Sequence, residues 1–164
     1  MAARATTSAG VLPFRVRDGA LEVLVGHMGG PFWARKDAGA WSVLKGEFDP
    51  DEETPEQAAR REFAEETGVA VPSGALVDLG EVRQSSKRVV GYAIEAPDVD
   101  PTTFVPGTFS MEWPPRSGRP QEFPEIDRAE WLAADVAREK LVKAQAAFVD
   151  RLEKWLTESR EQQG

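Results

Sequence analysis

Apolar and polar positions along this chain alternate in short runs before they settle into longer helical stripes. Val11 to Val16 and Leu21 to Val25 are rich in branched and aromatic residues and flank Asp18-Gly19, a dipeptide that favours a tight turn between two strands. The pattern predicts an opening hairpin behind a loose tail over residues 1–9. Gly26 to Gly39 is glycine-rich and carries Phe32 and Trp33, after which Trp41 to Leu44 forms a short apolar strand running straight into Lys45-Gly46 and an acidic loop. Ala75 to Arg83 and Arg88 to Ile94 predict a second hairpin, turning through Ser85-Ser86-Lys87. Pro97 to Pro124 holds many prolines and glycines and reads as a long irregular loop. Trp131 to Lys140 reads as helical, and so, more strongly, does Lys143 to about Arg160, where Phe148, Leu152, Trp155 and Leu156 recur as a packing stripe. No internal repeat or second domain interrupts this order, so residues 10–160 are expected to form one domain.

One helix announces both of its ends. Thr54 and Gln57 have capping-box spacing, Pro55 falls at the first helical position, and Gly68 can take the left-handed conformation that closes a helix, which predicts a helix from Pro55 to about Thr67. At about 100° per residue, Glu62, Glu65 and Glu66 share one arc, with Ala58 and Ala59 one turn earlier on the same side. Arg61 can reach Glu65, and Glu56 can reach Arg60, but Glu62 faces Glu65 and Glu66 with no intervening base, and like charges at these spacings repel. One reading of such a helix is a solvated acidic surface. The other is a rigid set of hard oxygen ligands for Mg²⁺ or Mn²⁺, which bind through few carboxylates and keep waters and phosphate oxygens as their remaining partners.

The spacing then adds to the charge. Arg61-Glu62-Phe63-Ala64-Glu65-Glu66-Thr67-Gly68-Val69 resembles the R-E-U-x-E-E-x-G-U half of the Nudix hydrolase box, where U is apolar, and fills each fixed position. The whole segment Gly46–Val69 is one residue longer than the box in its first loop, so either Glu52 or Glu53 takes the place of the upstream glutamate. The resemblance implies an α/β/α sandwich around a central mixed sheet, and a metal-dependent hydrolase that uses water to cleave a phosphoanhydride bond in a nucleoside diphosphate-linked substrate. It also implies that Glu62, Glu65 and Glu66, with the backbone carbonyl of Lys45, ligate Mg²⁺ or Mn²⁺, that Glu62 or Glu65 orients the attacking water, and that Arg61 holds the glutamates through charge-assisted hydrogen bonds. Similar enzymes often draw a further ligand or base from a late glutamate, for which Glu125 is preferred to Glu122. Activity is expected to fall in acid, where the carboxylates protonate and metal affinity weakens. The alternative is a Nudix-fold module that binds a nucleotide without turning it over.

Composition narrows the remainder. With 164 residues and 41% hydrophobic content the chain can bury one core, and no apolar stretch reaches the length of a membrane span. Zero cysteines exclude disulfides and thiol nucleophiles, and the opening residues lack the apolar centre of a signal peptide, so a cytoplasmic location is expected. A formal net charge of −8 argues against long nucleic acid as a partner and for a few local basic groups that meet a small anionic substrate. Lys36, Lys45, Lys87, Arg116 and Arg119 are the candidates, each alone more readily a solvated side chain except Lys45, which adjoins the acidic loop. Trp33, Trp41, Phe109 and Trp113 can stack a nucleobase, though core or loop packing is the favoured reading of each, and Trp113, within Trp-Pro-Pro-Arg-Ser-Gly-Arg, is the one expected to stand exposed for stacking. His27 is the single histidine, which excludes histidine dyads and leaves it structural or on the surface. Trp41-Ser42-Val43-Leu44-Lys45-Gly46 is similar to the W-[ST]-x-P-K-G segment of Nudix hydrolases of dinucleoside polyphosphates, with Leu44 in place of proline. That likeness favours nucleoside or dinucleoside polyphosphates as substrates, and among similar proteins homodimers are common.

Overall fold

The computed structural model of the protein describes residues 6–163. β1 (Thr6–Arg17) and β2 (Ala20–Met28) form the opening hairpin, with Asp18 and Gly19 both at positive φ, 52° and 79°, as a two-residue turn matched to strand twist requires. β1 is the centre of a seven-stranded mixed sheet. It pairs antiparallel with β2 along one half and with β4 (Leu44–Glu47) along the other, and parallel with β6 (Lys87–Glu95). The loose tail expected over residues 1–9 is corrected for its described part: β1 begins at Thr6, Ser8 and Ala9 are buried, and Thr7 O accepts from Phe48 N at 3.0 Å. The polar Thr6-Thr7-Ser8 hid a strand that is held by ladders on both sides rather than by apolar side chains. Residues 1–5 lie outside the described residues.

The remaining strands extend this sheet. β3 (Trp41–Ser42) and β9 (Ile126–Ala133) pair with β2, and β5 (Val77–Gln84) pairs with β6 through the expected turn, where Ser85 takes φ 55°. β1 carries apolar residues on both faces because both are covered. On one face, Ala9, Val11 and Leu44 pack against Ala58, Ala59 and Phe63 of α1 (Pro55–Thr67). On the other, Leu12, Phe14, Val23 and Val25 pack against Ala137 of α2 (Ala134–Lys140) and Phe148, Val149 and Leu152 of α3 (Ala146–Gln163). Helices on both faces of a mixed sheet make the α/β/α sandwich. Each large side chain fully buried in this way contributes about 1.5–3 kcal/mol relative to exposure. Trp155 of the predicted stripe remains exposed, while Leu156 packs against the core.

Two further expectations are corrected. Trp131 to Ala133 belong to a strand, because β9 pairs with β2 from Glu22 to Met28 and this ladder overrides the helical propensity of an alanine-rich segment. The stretch Pro97 to Pro124 contains a 3₁₀ turn at Pro101–Thr103 and a separate two-stranded hairpin, β7 (Thr108–Glu112) with β8 (Pro120–Pro124). Pro120 and Pro124 stand at the two ends of β8, where a missing N–H is tolerated, and Phe109 and Phe123 pair across the hairpin with centroids 6.0 Å apart. Among the described residues, no helix is long and apolar enough to cross a membrane.

Candidate active site

The box helix is set by its caps. Thr54 N donates to Gln57 Oε1 at 3.0 Å and Gln57 N donates to Thr54 Oγ1 at 3.1 Å, while Gly68, at φ 74°, closes the last turn by donating to Ala64 O. Ala58 and Ala59 are fully buried and let α1 lie close to β1 and β4. Closeness culminates at Gly46: a Cβ placed there would stand 1.9 Å from Glu62 Oε2, so the carboxylate occupies the space a side chain would need. The glycine opening the box is therefore a steric requirement of its first helical glutamate.

Arg61 gathers the acids. Its Nη1 donates to Glu62 Oε1 at 2.8 Å and Glu65 Oε1 at 3.1 Å, and its Nε and Nη2 both reach the carboxylate of Glu53. The Glu53 carboxylate is held below the ordinary glutamate range by that hydrogen bond, and the guanidinium is held above its own. Of the two upstream glutamates it is Glu53 that reaches Arg61, and Glu52 is exposed. The extra loop residue is absorbed in a turn centred on Asp49, whose side chain accepts from Asp51 N and whose carbonyl accepts from Glu52 N and Glu53 N.

Glu66 faces elsewhere. Together with Lys45 and Glu125 it lines a cavity of about 210 Å³ whose walls include Trp33, Phe109 and Met28. Burial pushes the Glu66 carboxyl up to about 8, with Glu125 and Glu62 adding repulsion and Lys45 opposing it. Desolvation also raises Glu125, against the pull of Lys45, and raises Glu62 despite Arg61; it lowers the Lys45 ammonium, which Lys87 lowers further. Glu125 arrives from the crossing between β8 and β9 and is clamped there. Its carbonyl accepts from Gly29 N at 3.0 Å, its N–H donates to Gly107 O at 2.8 Å, and a Cβ on Gly29 would stand 1.9 Å from Pro124 O. Just beyond, the β2–β9 ladder slips a register and Asp127 bulges out to meet fully buried His27, whose Nδ1 lies 2.9 Å from the carboxylate and whose Nε2 lies 2.7 Å from Lys36 O. His27 is thus structural, tying the Gly29–Gly39 loop to β9.

The other residues singled out in the sequence are dispersed. Lys87 is exposed at the start of β6, near enough to bear on Lys45. Lys36 holds its ammonium 3.5 Å from the Phe32 ring centroid and 5.3 Å from that of Trp33, so it braces a cavity wall. Trp41 is core, with Nε1 donating to Asp37. Trp113, Arg116 and Arg119 sit at the tip of the β7–β8 hairpin, apart from the residues that line the Glu66 cavity, and Glu122 is exposed on β8. Trp33 and Phe109 line that cavity. Nothing in sequence distinguished them from Trp113, because their placement depends on Gly30, where the φ is 92° and Phe109 packs over the missing side chain.

A hard divalent cation fits this donor set in kind. The donors are oxygens, Glu62 and Glu66 are buried, and Glu66 is short of positive charge. Among the described residues no three of the acids stand close enough to ligate one ion as they are; Glu62 and Glu65 are turned toward Arg61 instead.

The family model described as the NUDIX domain matches residues 5–152, and the chain belongs to the Nudix family. With that membership it is a hydrolase acting on acid anhydrides in phosphorus-containing substrates. None of the curated protein sequences compared with it matches. Among solved structures, an Ap4A hydrolase of C. elegans in a binary complex is 19% identical with a TM-score of 0.60, the match covering 93% of this chain and 98% of that one. The NUDIX domain of Shewanella oneidensis NrtR, cocrystallised with ADP ribose, is also 19% identical with a TM-score of 0.60 over 95% of this chain and 90% of that one. The C-terminal domain of mouse MUTYH, solved in complex with human PCNA, is 17% identical with a TM-score of 0.60 over 94% and 91%. At these identities the likeness is one of fold.

Proposed function

We propose that the chain is a Mg²⁺- or Mn²⁺-dependent pyrophosphohydrolase of nucleoside or dinucleoside polyphosphates. The observation that carries this reading is the convergence of Glu66, Glu125 and Lys45 on one cavity walled by Trp33 and Phe109, beside the Arg61-held glutamates. A diphosphate resists hydroxide through its own negative charge, and a bound divalent ion supplies the neutralisation and the activated water that overcome this. Glu62, Glu65, Glu66, Glu125 and the Lys45 carbonyl would hold it.

The chain's own groups do the rest. Arg61 fixes the direction of Glu62 and Glu65 through its hydrogen bonds to both carboxylates. Glu62 or Glu65 accepts a hydrogen bond from the attacking water and orients it toward phosphorus. The Lys45 ammonium, between Glu66 and Glu125, is the cationic group placed for a non-bridging phosphate oxygen. Trp33 and Phe109 exclude water and offer ring faces to a base. Lys87, and Arg116 and Arg119 on the hairpin tip, supply charge for phosphates further along a polyphosphate. The Ap4A hydrolase and the ADP ribose-bound domain share this fold, which supports a nucleotide substrate.

The test is a panel of nucleoside triphosphates, dinucleoside polyphosphates, ADP ribose and base-free diphosphates with Mg²⁺ or Mn²⁺, following phosphate and pyrophosphate release. Metal-dependent turnover of a nucleotide, abolished in Glu66→Gln, is the expected outcome. Tight nucleotide binding with no turnover by the unmutated protein would replace the hydrolase by a binding module.

A further inference from the structure

β3 and β4 are separated by Val43, which belongs to neither strand. Its N–H has left the ladder inside a buried region, where an unpaired donor loses its bond to water without replacement. A side chain from the far end of the chain takes it. Gln145 is 0% exposed, and its Oε1 accepts from Val43 N at 2.8 Å. Its Nε2 donates to Ser42 Oγ at 3.1 Å and to Gln84 Oε1 at 3.0 Å, and Ser42 Oγ in turn donates to Val43 O at 2.8 Å. The backbone just before Gln145 prepares this: Val142 N donates to Trp41 O, and Leu141 makes a parallel bridge to Trp41. The segment starts as a neighbouring strand, turns away into the 3₁₀ turn Lys143–Gln145, and leaves the Gln145 carboxamide where the next peptide group of a strand would stand.

β4 has four residues, and its upstream end hangs on this anchor. On it lie the Lys45 carbonyl and Gly46, and Gly46 leaves no room for even a methyl beneath Glu62. Ser42 and Val43 also line the cavity shared by Lys45, Glu66 and Glu125. We infer that Gln145 is a positioning residue, acting through Val43 and β4 to set the Lys45 carbonyl and the floor under Glu62 for a divalent cation. The inference rests on the pyrophosphohydrolase reading for the identity of that cation site. A carboxamide serves all three bonds at once, because one end accepts from an amide while the other donates to two oxygens, and the bond that holds β4 is the one to Val43 N–H.

Gln145→Met keeps shape and removes both functions. The expected result is a folded protein whose affinity for Mn²⁺, titrated by electron paramagnetic resonance without nucleotide, falls about tenfold, with a similar loss in kcat. KM for the nucleotide at saturating Mn²⁺ changes less than kcat, because Trp33 and Phe109 are untouched. Gln145→Glu, which keeps an acceptor for Val43 N–H, should recover Mn²⁺ affinity relative to Gln145→Met. A folded Gln145→Met protein with the affinity and kcat of the unmutated one overturns the inference. So does an equal loss in both variants, which marks a merely structural residue. Should Gln145→Met fail to fold, Mg²⁺ titration of the unmutated protein decides by nuclear magnetic resonance: the Val43 N–H and Gln145 side-chain amide signals are expected to move, and silence of both overturns the proposal. An unmutated protein that binds Mn²⁺ but hydrolyses nothing defeats the hydrolase reading and leaves this one standing.

Discussion

Glu66 is a buried carboxyl whose neighbours Glu125, Glu62 and Glu65 share its sign, with Lys45 as the opposing charge. Its native proton affinity is raised to about 8 from an ordinary 4.5, so between those values the folded protein keeps a proton that the unfolded chain has released. Stability falls with rising pH wherever the native state binds more protons, so this group weakens the metal-free fold as pH climbs through that window. Glu62 and Glu125, also raised by burial, add the same sign. Melting curves of metal-free protein should therefore show Tm declining toward pH 8, with a shallower decline in Glu66→Gln. Binding of Mn²⁺ near neutral pH should release a proton, measurable as a dependence of the binding heat on buffer ionisation enthalpy. A binding heat that is independent of buffer would show that Glu66 is already ionised and the charge shortage imagined.

Among elements, α1 was legible because its ends are chemical events within the chain. Thr54, Gln57, Pro55 and Gly68 act on their own neighbours, and the helix spans the residues they bracket. Thr54→Ala removes one half of the capping box, so the urea midpoint should fall by the equivalent of about 1 kcal/mol with an unchanged slope. An unaltered midpoint would mean that packing of Ala58, Ala59 and Phe63 alone holds the first turn. The hairpins at Asp18-Gly19 and Ser85-Ser86 were legible for the same local reason. β9 was not, because what makes it a strand is its pairing with β2, a hundred residues earlier, and alanine-rich local sequence points the other way. The Arg61 cluster could be read from i,i+4 spacing, whereas Glu53 rather than Glu52 emerged only from the turn at Asp49 that absorbs the extra residue. The cavity walls were illegible, since Trp33, Phe109 and Glu125 meet there through the bulge at Asp127 and the bare backbones of Gly29 and Gly30.

At the scale of the molecule, the seven-stranded sheet and its helices form one body, and the β7–β8 hairpin is a separate arm whose base belongs to the cavity and whose tip does not. The base delivers Phe109 and, one residue past β8, Glu125. The tip carries Trp113, Arg116 and Arg119, held by Trp113 N donating to Arg119 O and Gly118 N donating to Glu112. On a protein of net charge −8, those arginines are an outlying positive feature, which under the proposed function would serve a long polyphosphate rather than a short one. Replacing residues 113–119 by Asn-Gly, which closes a two-residue hairpin, leaves Phe109 and Glu125 in place. The truncated protein should keep its Tm, its Mn²⁺ affinity and its kcat for a nucleoside triphosphate, while KM for a dinucleoside polyphosphate rises and loses part of its salt dependence. Trp33→Ala should instead raise KM for both substrates, since its ring faces the cavity common to them. Equal KM changes for the two substrates on truncation would place the tip outside substrate recognition and leave the cavity walls as the part of the protein that selects the nucleotide.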